Sequence, residues 1–422
     1  MTQKNKNEEK LANNTEKQVA ITELKAKLSK LIISDGEDAS QNFNNTNQMD
    51  VDRVACHHFQ EEILMEILSR LPVQSLLRFK CISSVWKTLI SEPYFKMKHL
   101  DWAKNDQGSQ KLLITRPCPN DNNIASMYCC PLSPVQLIED IQKLKLDFPL
   151  NPKPWHCKIH CCCDGLAVIE VPDILDYNRV TLLLWNPTTR ESIVLPALES
   201  THDAESRFGL GYDSTSGDYK ILHIYQDDRD YKLPHEILAL KSGSWRRIDK
   251  HPRGFSSLMF AMQFLAFVHA TFHWIGTSRN CFAVVSFSIS NEVYGEIPLP
   301  EEITRLKIKN CIGVSVLEGM LCVYLNSYIW RNATYKLWVL KEYGVKGSWT
   351  TLLTIQDRSI FKIVPKYRFA DGELLFCCST EEFLAQRKFR TTSGPFVSWP
   401  EHAVTDGYAF TESLMSPKSL TN

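Results

Sequence analysis

The chain has 422 residues, enough for two folded units and a tail. Its 48 lysines and arginines balance 48 aspartates and glutamates, so no net field draws it toward nucleic acid or an anionic membrane. With 44% apolar and 23% charged residues it has the make-up of an ordinary globular protein, not of a fibrous or wholly disordered one.

Residues 1–52 read as a disordered leader, rich in Asn, Gln, Lys and Glu, with no aromatic residue before Phe43. A helical pattern runs from Ile21 to Ile33, with Leu24, Leu28, Leu31 and Ile32 on one side, but one short seam is marginal alone. The leader lacks the apolar segment of a secretory signal, so the fourteen cysteines are expected as reduced thiols of a cytoplasmic or nuclear protein.

Residues 53–100 read as a unit of three short amphipathic helices. In the first, Ile63, Leu64, Ile67, Leu68 and Leu71 form one stripe, and Glu61, Glu62 and Glu66 suit the positive end of the helix dipole. Pro72 stops that helix and opens the next, which carries Leu76, Leu77 and Phe79. The third carries Val85, Trp86, Leu89 and Ile90, and Glu92-Pro93 is expected to close the unit. So few residues make a small core, and the apolar positions outnumber what it can cover.

The stretch EEILMEILSRLPVQSLLRFKCISSVWKTLI resembles an F-box, the helical module that docks cullin-based ubiquitin ligases through a Skp-type adaptor. It has Phe59-Gln60 where the family opens with Leu-Pro, and Ser84 where a basic residue precedes the Trp. The resemblance implies adaptor-facing or directly supporting roles for Phe59, Ile63, Leu64, Leu68, Leu71, Pro72, Leu76 and Leu77. Trp86 and Leu89 are expected to anchor the third helix. A plain three-helix packing unit is the alternative.

Residues 101–110 read as a polar linker, Asp101 to Gly108 above all. From 111 to 415 short β-branched and aromatic runs alternate with Gly, Pro, Asn and Asp turns. KLLITR, GLAVIEV, VTLLLWN, YKILHIY, EILAL, AVVSFSI, MLCVYL, YKLWVL and ELLFCC all read as strands. One phrase recurs in VTLLLWNPTTRESIVLP, EILALKSGSWRRI, AVVSFSISNEVYGEIPLP and YKLWVLKEYGVKGSWTTL: a strand, a polar turn, and a second strand ending near Pro or Trp. Repeated small antiparallel sheets of this kind predict a propeller-like all-β domain, with a two-sheet sandwich as the alternative and the blade count open. The apolar run from Leu258 to Gly276 is broken by Gln263, His269 and His273, which favours buried strands over a membrane span.

The order of CDGLAVI, LLLWNPTTRE, RFGLGYDSTSGDYKIL, SWRRI, FVHATFHWIG, FSISNEVYGEIPLP and LWVLKEYGVKGSWTTL is similar to the successive phrases of the plant F-box-associated (kelch-like) domain. Asn186-Pro187 starts a turn, and Gly209, Gly211 and Gly217 are expected at tight turns or close backbone approaches. His269-Ala270 stands where the family has Asn-Gly.

Chemistry-bearing groups are few. The densest is His156, Cys157, His160, Cys161, Cys162 and Cys163, with Cys129 and Cys130 upstream; it lacks a clean second ligand pair for zinc and reads as part of a strand before Asp164-Gly165. No phosphate loop, G-x-S-x-G elbow or RING-type spacing occurs, so no catalytic residue, metal ligand or cofactor site is assigned.

The whole reads as a multidomain α+β chain: a three-helix F-box followed by a mostly antiparallel, propeller-like β domain. The resemblance implies a non-catalytic substrate-recognition subunit of an SCF-type (Skp-cullin-F-box) ubiquitin ligase. The partners expected are a Skp-type adaptor, through it a cullin, and a protein target, with no nucleic acid or membrane. A binding scaffold acting without the ligase is the alternative. Asp227–Pro234 and Ser327–Thr334 are the candidate variable loops of the β domain.

Overall fold

The computed structural model describes residues 61–117, 125–132, 145–150, 154, 156–173, 179–198, 206–225, 235–248, 255–256, 265–278, 281–304, 311–329, 332–345, 347–357, 360–380, 383–393, 396–397 and 406–421. The leader with its Ile21–Ile33 pattern, Phe59, the first part of the Leu258–Gly276 run and the Asp227–Pro234 segment lie outside the described residues. The chain divides into two units, Met1–Lys98 and His99–Asn422.

The first unit holds α1 (Glu61–Leu68), α2 (Val73–Ile82), α3 (Ser84–Ser91) and the beginning of α4 (Pro93–Asn105). Pro72, extended at φ −56° and ψ 144°, separates α1 from α2, and its carbonyl accepts from the amides of Ser75 and Leu76. Ser83 is also extended and serves two helices: its N–H donates to Phe79 O, and its Oγ accepts from the Trp86 amide at 3.3 Å.

Three helices were expected in residues 53–100, and among the described residues four occur there, the last running on to Asn105. Glu92-Pro93 does not close the unit, because a proline has no amide to leave unpaired in a first helical turn and its fixed φ suits that position. The stretch Asp101–Gly108 is not a linker either. It is helical through Asn105 and passes into a 3-10 turn, Gln107–Ser109, where the Ser109 amide donates to the Asp106 carboxylate at 2.9 Å. Its polar composition hid Ala103, which is fully buried on the helix together with His99 and Leu100 just before it.

In the second unit six antiparallel sheets follow one another. The first holds β1 (Gln110–Pro117), β2 (Ala125–Pro131) and β3 (Lys145–Leu146). The second holds β4 (Lys158–Cys163), β5 (Leu166–Pro172), β6 (Val180–Trp185) and β7 (Ser192–Val194). The third holds β8 (Arg207–Asp213), β9 (Asp218–Ile224), β10 (His235–Ala239) and β11 (Ser244–Ile248). In the fourth, β12 (Phe255–Ser256) and β13 (Ala266–Val268) both pair with β14 (Thr271–Ser278), followed by β15 (Cys281–Ser288) and β16 (Tyr294–Ile297). A helical turn, α5 (Glu301–Thr304), leads to the fifth: β17 (Cys311–Leu317), β18 (Met320–Ile329), β19 (Asn332–Leu340) and β20 (Trp349–Gln356). The sixth holds β21 (Ile360–Arg368), β22 (Leu374–Thr380), β23 (Phe383–Thr391) and β24 (Phe396–Val397).

The last strand, β25 (Asp406–Thr411), returns to pair with β1, from Gln110↔Thr411 to Thr115↔Asp406. Innermost strands touch in turn from β25 to β4, β8, β13, β17 and β21, and β21 touches β25 again. The six sheets are therefore blades of a closed propeller, not two layers of a sandwich. Ser327–Thr334, expected as a loop, is mostly the end of β18 and the start of β19, paired as far as Ile329↔Asn332.

The apolar core lies in the seams between blades. One cluster joins Leu113, Met127, Ile169, Leu183, Trp185 and Phe410 of the first two blades; others fill the seams between blades three and four, four and five, and five and six. Because a blade is covered on both faces, β5 is buried from Leu166 to Val171 with no alternation. The outer strands are the exposed ones. They carry charge, as at Arg246 and Arg247 of β11 and Glu296 of β16, which blunts pairing with a foreign strand.

The recurring Trp-or-Pro phrase has a physical basis. Trp245 Nε1 in the third blade donates to Pro196 O after the outer strand of the second, at 2.9 Å. Trp349 Nε1 in the fifth donates to Pro298 O after the outer strand of the fourth, at 2.8 Å. Gly209 and Gly211 permit close approach of the fourth blade: a Cβ at either would come within 2.7 Å and 2.3 Å of the Phe272 and Phe267 rings. Gly217 sits in a turn at φ +63°.

Three inner hairpins turn through paired left-handed residues: Asp164-Gly165, Glu318-Gly319 and His269-Ala270. The last does so without glycine, at φ +51° and +54°. Ala270→Gly is accordingly expected to raise stability by about 1 kcal/mol, since a Cβ is disfavoured in that region. The check is the midpoint of denaturant unfolding; an unmoved or lower midpoint would mean the turn stores no strain.

Candidate functional site

In the helical unit the apolar stripe of α1 is split. Ile67 and Leu68 turn inward, 3% and 1% exposed, and join Val73, Leu76, Phe79, Trp86, Leu89, Ile90 and Phe95 in the interior. Phe79 and Trp86 meet edge to face with centroids 4.8 Å apart. Of the residues singled out from sequence, Leu68 and Leu76 are therefore interior supports. Ile63, Leu64, Leu71 and Leu77 are half-buried, and Pro72 is exposed. Trp86 and Leu89 are buried on α3, where they hold that helix to the core.

Sequence reasoning missed two exposed apolar side chains on this unit, Val85 (43%) and Tyr94 (65%). It also missed a polar tie. Glu66 on α1 pairs with Arg70, four residues on, and with Lys98 Nζ of α4 at 2.7 Å. Hydrogen bonds from Lys98 first and Arg70 second hold its carboxyl below the usual carboxylate range. The four-residue spacing of Glu66 and Arg70 was the available signal.

In the propeller, polar side chains serve mainly as clamps between segments far apart in sequence. Asp164 Oδ1 pairs with Lys104 Nζ at 2.8 Å, and its Oδ2 accepts from the Tyr219 hydroxyl at 2.9 Å. Ser413 Oγ donates to Asp164 O at 2.8 Å, and a Cβ on the neighbouring Gly165 would strike that serine at 2.2 Å. Asn186, fully buried, does more than start a turn. Its Oδ1 accepts from the amides of Thr188 and Thr189, while its Nδ2 donates to Ser413 O at 3.0 Å and Met415 O at 2.7 Å.

Asp213 binds the third blade to the fourth. It accepts from the Thr215 amide, Ser216 Oγ, Ser290 Oγ and Lys220 Nζ, and Lys220 also donates to Ile289 O. Between the second and third blades Phe208 separates two buried histidines, edge-on to His160 and stacked on His223 at 4.4 Å. His160 Nε2 lies 2.6 Å from Glu170, and His223 Nδ1 3.2 Å from Glu236. Burial pushes the His160 imidazole down to about 4, so it is neutral at ordinary pH.

The cysteine-rich stretch is strand, as expected: Cys161, Cys162 and Cys163 end β4, and Cys129 and Cys130 lie on β2. Cys157 and Ile159 face the seam between the first two blades, with Cys129 and Cys162 packed beside them. Burial pushes the Cys129, Cys157 and Cys161 thiols up to about 12, which leaves them protonated and unreactive. Among the described residues no three His, Cys, Asp or Glu side chains converge as metal ligands. Among the same residues no helix is long and apolar enough to cross a membrane.

Comparison with known proteins agrees with both units. Residues 57–98 match the F-box domain, and residues 120–391 match the F-box associated β-propeller domain. The chain is similar to the F-box/kelch-repeat protein At3g23880 of Arabidopsis thaliana, 26% identical over 78% of this chain and 90% of that protein. It is also similar to the F-box protein CPR1 of Arabidopsis thaliana, 25% identical over 70% of this chain and 72% of that one. With its helical module matched ahead of a six-bladed ring, the chain belongs to the plant F-box proteins that carry an F-box associated β-propeller domain.

Proposed function

We propose that this chain is the substrate-recognition subunit of a Skp-cullin-F-box ubiquitin ligase. In this reading the helical unit docks a Skp-type adaptor, and through it a cullin. The propeller holds a protein target so that its lysines meet the charged conjugating enzyme. The chain itself does no bond chemistry; tethering raises the local concentration of target at the enzyme. It acts in the cytoplasm or nucleus, where that machinery works.

One observation carries the reading. The interior of the helical unit is already filled, yet Ile63, Leu64, Leu71 and Leu77 stay half-buried beside an exposed Pro72. In this reading they meet the adaptor, with Leu68 and Leu76 supporting them from within, and Phe59, outside the described residues, is assigned to the same role on the sequence alone. Such an apolar helix face is the kind that a groove on another protein covers.

Ile63→Asp combined with Leu64→Asp is expected to reduce adaptor binding by more than a hundredfold, while the propeller keeps its thermal transition. Titration with a purified Skp-type adaptor and calorimetry of the same variant measure the two effects. Retained binding would remove the docking assignment. Phe59-Gln60, in place of the family's Leu-Pro, favours a second reading, a binding scaffold independent of the ligase. Co-purification of adaptor and cullin with the intact chain separates the two.

A further inference from the structure

Among the described residues one outer strand lacks the protection that the others have. β3, β7 and β24 are only two, three and two residues long. β11 has five residues and carries Arg246 and Arg247, and β16 has four and carries Glu296. β20 has eight, WTTLLTIQ, with no charged side chain. Its inner side is held firmly, paired with β19 from Thr334↔Gln356 to Leu340↔Trp349 and tied by Trp349 Nε1 to Pro298 O. No described strand pairs with its outer side. Thr350 and Thr351 point to opposite faces of the strand and are both exposed, as is Thr354, so the rim is open there. Leu352 sits at a bulge and packs with Leu353 and Ile355 against the seam between the fifth and sixth blades. The threonines are left as the outward set. A long uncharged edge of this kind offers a row of backbone donors and acceptors to an extended chain.

We infer that β20 pairs with the β20 of a second copy of this chain, antiparallel and edge to edge, giving a two-fold dimer through the fifth blade. The lack of charge selects this occupant. In a two-fold contact a strand meets itself, so each charged side chain would lie near its own copy and repel it. A foreign strand sets no such condition, because its charges can be opposite in sign. β11 and β16 fail the condition, and β20 meets it at all eight positions. Threonine facing threonine is also a favourable cross-strand pair. Each chain has one such edge, so pairing consumes it and stops at two copies. An eight-residue ladder is smaller than the interface of a permanent dimer, about 1,200–2,000 Å², so the association is weak and depends on concentration. The inference does not depend on adaptor docking.

Sedimentation equilibrium of the full-length chain from about 1 to 100 μM tests it, the range in which a weak dimer forms and dissociates. The expected result is a monomer–dimer equilibrium with no larger species. Thr351→Lys with Thr354→Lys, and separately Thr351→Glu with Thr354→Glu, put like charge on the shared edge without altering a buried side chain. Each pair is expected to weaken association by about tenfold or more, with the circular dichroism spectrum and melting temperature unchanged. An equal mixture of the two variants should associate again, because lysine then meets glutamate. The unaltered chain supplies a second readout: amide hydrogen exchange within 349–356 should quicken on dilution, while that of β19 stays constant. A chain that is monomeric throughout, a dimer that survives the lysine pair, or exchange that ignores dilution overturns the inference. So does a mixture that fails to recover, and so does growth beyond two copies.

Discussion

Deleting residues 406–422 is expected to abolish cooperative folding of the propeller. The deletion removes β25, the innermost strand of the first blade, whose six residues pair with β1 from Gln110 to Thr115. It also removes Phe410, Leu414 and Met415, which are 5%, 4% and 7% exposed. Each such side chain contributes about 1.5–3 kcal/mol when buried, so the three together rival the usual net stability of about 5–15 kcal/mol for a whole domain. The ladder bonds of β1 would be left open as well. A gentler change isolates the latch beyond the strand. Asn186→Ala leaves the carbonyls of Ser413 and Met415 and the amides of Thr188 and Thr189 without their partner, and is expected to cost about 3 kcal/mol. Near-ultraviolet circular dichroism through a thermal ramp reads both variants. A native spectrum and a single sharp transition in the deletion variant would show that the ring closes by some other means.

Asp213→Asn should destabilise the seam between the third and fourth blades by about 3 kcal/mol at neutral pH. The side chain is 2% exposed, and its charge balances that of Lys220, itself 13% exposed, at 2.8 Å; removing one partner of such a pair strands the other. The effect depends on pH in a defined direction. Hydrogen bonds from Lys220, Ser290, Ser216 and the Thr215 amide outweigh the desolvation of the carboxylate and hold its folded pKa well below the ordinary carboxylate value. A depressed folded pKa means that the stabilisation is present in full above the unfolded value, near pH 4, and is lost as the pH falls further toward the folded one. Urea unfolding at pH 7 and at pH 3 should therefore separate the unaltered chain from the variant widely at pH 7 and less at pH 3. A gap that is constant across this range would mean that the carboxylate contributes through packing alone.

These clamps mark where sequence reading stops. The F-box-like helices, the strands and the repeated Trp-or-Pro phrase were legible, because each is a local pattern: helical spacing at Ile63 to Leu71, apolar runs such as LLLW, and turn residues between them. The fourth helix was not, because Asp101–Asn105 reads as polar apart from Trp102 and Ala103, and one inward alanine makes no conspicuous stripe. Val85 and Tyr94 were not legible as exposed side chains, since exposure of a single apolar residue leaves no periodic trace.

Local pattern was enough for the order of the helical unit and the β domain, for the likeness to the family, and for the lack of any recognisable catalytic motif. Those properties reside in neighbouring residues, whose propensities and spacing act before the chain has collapsed. Six blades, the closure of the ring by β25 on β1, and the hold of Asn186 on carbonyls 227 and 229 residues away emerge only once the chain has folded. A hydrogen bond is specified by where two groups meet in space. Over more than two hundred intervening residues nothing in the local pattern encodes that meeting.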